Sequence, residues 1–408
     1  MSGRQEYYFF TLPNGIRCIL GHAKGPVAHC ALTVGAGSRD EPEGVEGVAH
    51  FTEHCLFKGT ARRRAHHINC RLENLGGELN AFTTKEETVV HATTLRGDFA
   101  AAAELIADVM FHSVFPEQQV TMERAVVADE INSYKDSPGE SIWDDFEDLL
   151  FAGSGLGHNI LGTNKSLRRL NRKAITDFTD RTYNTDQMVF SAVGNISEKR
   201  FREVSERYFG AVTTSPRGFA RTAPMPVETF DKTVKRNNHQ AHCLTGGRAW
   251  DAFNGRRIAL SLLVNILGGP AANSLLNIAL REKRGLTYNI DASYTPFCDS
   301  GIAAISYSCE KARIDECIEL VDKELTAIKT TPLTDRKLSM AKRQFAGQLA
   351  ISMESNEGAM LAAGKSFLLY DRVDSLAEVN RKLAALTAGQ VMDAANEIFT
   401  GTSTLIYK

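Results

Sequence analysis

His50-Phe51-Thr52-Glu53-His54, running on into Cys55-Leu56-Phe57-Lys58-Gly59, has the pattern of a single helix over Val48–Lys58 stopped by a glycine. At about 100° per residue, His50 and His54 fall about 40° apart on one face, with Glu53 about 60° to the other side. Val48, Phe51 and Cys55 form an i, i+3, i+7 stripe that can enter a core. The helix therefore packs with one face and offers two imidazoles and a carboxylate with the other. Histidines at i and i+4 can share one zinc ion, and a carboxylate beside the second can take a proton from water. In a chain of this composition such a pentapeptide arises by chance about 0.04 times. The competing reading is a solvated helix face with two ordinary histidines.

Zinc needs a third protein ligand. Periodicity predicts a helix over Gln118–Lys135, ended by Ser137-Pro138-Gly139, with Val120, Val127, Ile131 and Tyr134 as its core stripe. Glu123 and Glu130, seven residues apart, share another face and are the candidates. Taken alone, an acidic pair on a helix is an ordinary wet face.

Around these helices the pattern alternates between strand and helix. Three strands are predicted in residues 6–35, with Pro13-Asn14-Gly15 turning between Tyr7–Thr11 and Ile16–Leu20. A second helix near His66–Leu75 stops at Gly76-Gly77, two strands follow at Glu78–Thr83 and Thr88–Leu95, and a helix spans Asp98–His112. The stretch Thr213–Pro226, rich in Thr, Ser, Pro, Arg and Ala, marks a linker. The expected division is a domain over residues 1–214, a linker over 215–228 and a second domain over 229–408. Ser166-Leu167-Arg168-Arg169-Leu170-Asn171-Arg172-Lys173 returns as Ser375-Leu376-Ala377-Glu378-Val379-Asn380-Arg381-Lys382, displaced by 209 residues, and the element order repeats with it. The fold class expected is α+β: two homologous sandwich domains, each a mostly antiparallel sheet packed with helices.

At 408 residues the chain is long enough for two or three cores. Its 47 basic and 49 acidic side chains nearly balance, which gives no electrostatic reason to expect nucleic acid as a partner. No long apolar run suggests a membrane span. The eight cysteines form no CxxC pair, so neither a disulfide framework nor a cysteine zinc module is indicated. The first ten residues lack the features of a signal peptide, and a cytoplasmic protein is the expectation. His66 and His67 point about 100° apart on a helix and cannot both reach one ion. Cys70, close to them, is set aside likewise, Cys55 is assigned to the core, and His158, His239 and His242 have no spacing argument. Gly35-Ala36-Gly37 is not a dinucleotide fingerprint, because Asp40 stands where its third glycine should be.

His50–His54, Leu56-Phe57-Lys58-Gly59-Thr60, Asn80-Ala81-Phe82-Thr83 and Glu123-Arg124-Ala125-Val126-Val127-Ala128-Asp129-Glu130-Ile131 together resemble the pitrilysin family of inverted-zincin metallopeptidases, known as M16. The family includes insulin-degrading enzyme and the mitochondrial processing peptidase, and this chain is similar to its half-length, two-domain members. In the family the third ligand is a glutamate about 76 residues beyond the second histidine. Glu130 stands 76 positions after His54, which makes it the implied third ligand of one zinc per chain, with Glu123 a supporting glutamate behind it. Leu280-Arg281-Glu282-Lys283-Arg284-Gly285-Leu286-Thr287-Tyr288 resembles the family's Arg/Tyr segment. The resemblance implies that Arg281 and Tyr288 hold substrate carbonyls and stabilise the oxyanion.

It further implies a metalloendopeptidase in which Glu53 is the general base. Asn80, Ala81 and Phe82 would form a strand edge that pairs with extended, unfolded peptides. A displacement of 209 carries His50, Glu53 and His54 onto Ala259, Leu262 and Leu263, and aligning Met122 with Met340 sets Gln348 opposite Glu130, so the second half would bind no metal. A homodimer is expected, with Arg281 and Tyr288 completing the partner's site. Two alternatives remain: a non-catalytic structural subunit of the same fold, for which eroded ligands would be expected, and a hetero-oligomer whose other chain supplies the Arg/Tyr pair. Asp129, where glutamate is frequent, and Gly268-Gly269-Pro270, where some relatives carry longer glycine runs, depart from the family pattern.

Overall fold

The computed structural model describes residues 7–408. The reading of Met1–Glu6 as part of a start without a leader lies outside the described residues. Two compact units make up the chain. The first holds a sheet of β1 (Tyr7–Thr11), β2 (Arg17–His22), β3 (Val27–Val34), β4 (Glu78–Thr83), β5 (Thr88–Leu95) and β6 (Met188–Gly194), in the order β1-β2-β6-β3-β5-β4. The second holds β7 (Asp231–Val234), β8 (Gln240–Arg248), β9 (Thr287–Pro296), β10 (Gly301–Glu310) and β11 (Ser403–Tyr407), in the order β7-β11-β8-β10-β9.

Without β1, the two orders correspond strand for strand, and each sheet has one parallel pair, β2 with β6 and β7 with β11, among antiparallel neighbours. The expected pair of homologous α+β sandwiches is the fold observed. The repeated octet is not its structural signature, however. Asn171 caps the helix Arg172–Thr182 by accepting from the Ala174 amide, whereas Asn380 lies inside the helix Leu376–Ala384. The duplication shows in the strand order instead, because a sheet's order survives insertions in its connecting loops.

Four helices of the first half follow the predicted pattern, α1 (Val48–Leu56), α2 (Ala65–Glu73), α3 (Phe99–Phe111) and α4 (Glu117–Lys135), whereas α5 (Pro138–Leu150), with proline in its first turn, begins where the sequence reading places only a stop. Helix α1 ends at Leu56, two residues before the predicted stop, and Gly59 follows at φ 145°. Val48, Phe51 and Cys55 are fully buried and join Cys30, Leu32, Val90 and Ala92 of the sheet and Leu105, Ile106 and Val109 of α3 in one core.

Strand β6 is buried along its whole length and β3 nearly so. A sheet apolar on both faces needs cover on both. The second cover comes from far along the sequence, since Met360, Ala363 and Phe367 of the helix Asn356–Tyr370 meet Ile19, Ala31, Val89, Val189 and Val193. In the second unit Ile142, Phe146 and Leu150 of α5 cover Leu244, Ile302, Ala304, Leu405 and Tyr407. The units therefore exchange segments: 351–375 belongs to the first and 133–157 to the second. This departs from the two consecutive halves expected from sequence. The expected linker at 215–228 has neither helix nor strand, but it is not a free tether: Arg221 pairs with Asp40 at 2.7 Å and donates to the Glu86 carbonyl.

The exchange can be weighed by mutation. Phe146→Ala is expected to cost about 3–5 kcal/mol, the usual range for emptying a fully buried aromatic site, and denaturant unfolding measures it. All eight cysteines are free thiols. Among the described residues no helix is long and apolar enough to cross a membrane.

Candidate metal centre

His50, in the first turn of α1, and His54, one turn on, direct their Nε2 atoms to a common point, 3.2 Å apart. Glu130 on α4 closes the group, with Oε1 3.6 Å from His50 Nε2 and Oε2 3.5 Å from His54 Nε2. Donors about 2.0–2.1 Å from a tetrahedral zinc ion stand about 3.3–3.4 Å from one another, so these three atoms fit one face of a zinc tetrahedron. The donor chemistry fits as well. Burial, with a smaller contribution from His54, pushes the His50 imidazole down to about 3, which keeps it in the neutral form that binds metal.

The two imidazoles are held differently. His54 Nδ1 donates to Glu123 Oε1 at 2.9 Å, and the other oxygen of that buried carboxylate takes Lys58 Nζ at 2.6 Å. A carboxylate behind a ligating histidine fixes the tautomer and makes the imidazole more basic. Glu123 thus acts through His54, which makes it a positioning residue. His50 has no such support, because its Nδ1 is buried without a hydrogen-bond partner. Glu123→Gln is expected to weaken zinc binding about 10–100-fold while the chain stays folded, as titration against a competing chelator would show.

Glu53 points from α1 towards β4, where Thr83 donates its hydroxyl to Oε2 at 2.6 Å. Burial raises the Glu53 carboxyl above the ordinary carboxylate range, opposed in part by the Thr83 hydrogen bond. Strand β4 is an edge of its sheet, as the expected role of Asn80, Ala81 and Phe82 requires. Alternation sends Ala81 to the side of the α1 core and Asn80 and Phe82 to the other side, where the Phe82 ring lies 6.0 Å from that of His91. The side chain of this strand that reaches the site is Thr83.

Arg281 and Tyr288 belong to the second unit. There the guanidinium sits 5.1 Å from the centre of the Tyr288 ring, which is 73% exposed, and both border a cavity of about 440 Å³. In the same unit Ala259, Leu262 and Leu263 are buried in the core, and Gln348 accepts a hydrogen bond from Asn265 at 2.8 Å. A neutral amide pair and apolar side chains leave no metal donors at these aligned positions. His66 instead contacts Cys70 at 3.4 Å on the exposed part of α2.

Lys58, Thr83, Glu41 and His158 were not singled out from sequence as site residues. Lys58 could have been found at one helical turn beyond His54, and Thr83 by its alternation with Ala81. Glu41 and His158 meet across 117 positions, and no local pattern carries that contact.

Residues 17–164 match the family model described as insulinase, peptidase family M16, and residues 169–345 match that of the peptidase M16 inactive domain. The chain is 31% identical over 393 residues to a Bacillus subtilis protein named uncharacterized zinc protease YmxG, covering 96% of this chain and 95% of that one. A Mycobacterium leprae protein named uncharacterized zinc protease ML0855 is 31% identical over 400 residues, covering 95% and 88%. Among solved structures, a peptidase M16 inactive domain from Pseudomonas fluorescens superposes with a TM-score of 0.91 at 21% identity, covering 98% of each chain. A protease from Helicobacter pylori gives 0.90 at 20%, covering 99% of this chain and 100% of that one. At these identities the two structures speak for the fold.

Proposed function

This chain belongs to the insulinase family of peptidases, M16, and we propose that it is a zinc-dependent metalloendopeptidase acting on unfolded or extended peptides. The observation that carries the reading is the convergence of His50, His54 and Glu130 at zinc-ligand spacing beside a buried carboxylate, Glu53. One zinc ion held by these three residues would supply a Lewis acid that polarises a peptide carbonyl and acidifies water. Glu53 accepts the proton of the attacking water and passes it to the leaving amine. Its raised affinity for protons suits a group that must both take and give one. Thr83 holds the Glu53 carboxylate, Glu123 holds the His54 ring, and the free edge of β4 offers backbone groups to an extended peptide.

Metal content measured together with hydrolysis of a quenched peptide library, before and after chelation, tests this reading. One equivalent of zinc and chelator-sensitive cleavage are expected. Cleavage that survives complete removal of metal would overturn it, as would comparable rates on a stably folded protein and on its unfolded form.

The assembly proposed is a two-fold homodimer in which Arg281 and Tyr288 serve the partner's site. Mixing Glu53→Gln chains with chains carrying both Arg281→Ala and Tyr288→Phe should give about half heterodimers on random exchange. Each would have one of its two sites intact, so about a quarter of wild-type activity returns. Confirmed exchange without recovery would reject completion in trans.

A further inference from the structure

We propose that Glu41 and His158 are positioning residues for the metal centre, locking the first turn of α1 and, through it, the His50 ring. This rests on the zinc reading above. The opening N–H groups of a helix have no partners within it. Helix α1 begins after Gly47, at φ 92°, a residue with no side chain to cap it. The missing cap is Glu41, six residues upstream, whose side chain is fully buried. Its Oε2 accepts the Gly47 amide and its Oε1 the Ala49 amide, both at 2.8 Å. A carboxylate there also complements the positive end of the helix dipole.

His158 holds this cap from outside the helix. Its Nε2 donates to Glu41 Oε2 at 2.7 Å, and its carbonyl accepts from Lys85 Nζ at 2.6 Å. Lys85 lies two residues beyond Thr83, the residue that orients Glu53. One residue thus ties the helix carrying two ligands to the turn beside the base. The neighbouring backbone adds a steric stop, since a Cβ on Gly47 would stand 2.6 Å from the Leu161 carbonyl oxygen.

The two ligands of α1 make this lock matter unequally. His54 has Glu123 behind its ring, whereas the buried Nδ1 of His50 has no partner, so the backbone beneath His50 fixes its direction. Ala49, whose amide Glu41 holds, is the residue next to it.

The test compares His158→Ala, His158→Gln and Glu41→Gln with the wild type. Zinc affinity is measured by competition with a chromophoric chelator, and kcat and KM at saturating zinc. For His158→Ala, zinc binding about 10–100-fold weaker is expected, with lower kcat and KM within twofold, because the His158 ring is engaged with the helix cap, Glu41. His158→Gln, whose amide can donate to the same oxygen, should recover most of the loss. Glu41→Gln keeps the shape, loses one acceptor, and should repeat the zinc defect even if His158→Ala does not fold. A lowered melting temperature with zinc affinity and kcat within twofold of wild type in the folded variants would reduce the pair to scaffold and overturn the proposal. A wild-type chain that binds no zinc at all would instead overturn the zinc reading first.

Discussion

Glu53→Gln leaves zinc bound and lowers peptide hydrolysis by about 10²–10⁴-fold, the usual contribution of a positioned general base. The amide is isosteric, and its oxygen can still accept the Thr83 hydroxyl, so the local packing survives. His50, His54 and Glu130 keep their mutual spacing because Glu53 is not one of the three converging donors. The amide cannot accept a proton from water at neutral pH. The loss should therefore appear in kcat, with metal content and KM near wild type. Metal analysis of the purified variant and steady-state kinetics on one peptide suffice to check it. Loss of the metal would mean that Glu53 is a ligand, and retention of more than a third of the activity would mean that another group is the base.

Glu130→Gln should do the reverse. The carboxylate is the one acidic member of a set whose other two are imidazoles, so it alone can offset part of the cation's charge. It is also the most open of the three, with 43% of its side chain exposed, and water replaces it without a large packing penalty. We expect zinc affinity to fall by more than about 100-fold, beyond the 10–100-fold that removing an outer hydrogen-bond partner costs. Titration against a competing chelator gives the number directly. Full occupancy under mild chelation would require a different third ligand.

The two histidines of the proposed centre were legible because they are a local matter. Four residues on a helix make one turn, and the apolar stripe of Val48, Phe51 and Cys55 says which way that turn faces. Glu130 was not local. Seven-residue spacing set it beside Glu123 as an equal candidate, and only the family spacing separated them; the geometry places Glu130 at the histidine Nε2 atoms and Glu123 behind one of them. The sheet order was harder still, because an uninterrupted apolar run such as β6 shows that a strand has two apolar faces but not what covers the second. Ile142, Phe146 and Leu150 recur every four residues and announce a buried stripe on α5. Nothing in that stripe names the sheet it covers. The composition change after residue 213 marks an irregular segment but does not divide the units, because 133–157 and 351–375 each join the unit on its other side.

The exchanged helices also bear on how the protein is made. When β6 has left the ribosome, the six strands of the first sheet exist, but the helix that shields their second face ends 176 residues later, from Gly194 to Tyr370. At about 5–20 residues per second, Ile19, Ala31, Val89, Val189 and Val193 wait about 10–35 s for their cover. For that interval the nascent chain carries an apolar, strand-rich surface of the kind that chaperones shield and that aggregates when crowded. A gene cut at the apparent linker makes the interval permanent, so the half that carries His50, His54 and Glu130 is not a portable module, and both halves of the message have to be translated before either sheet is closed.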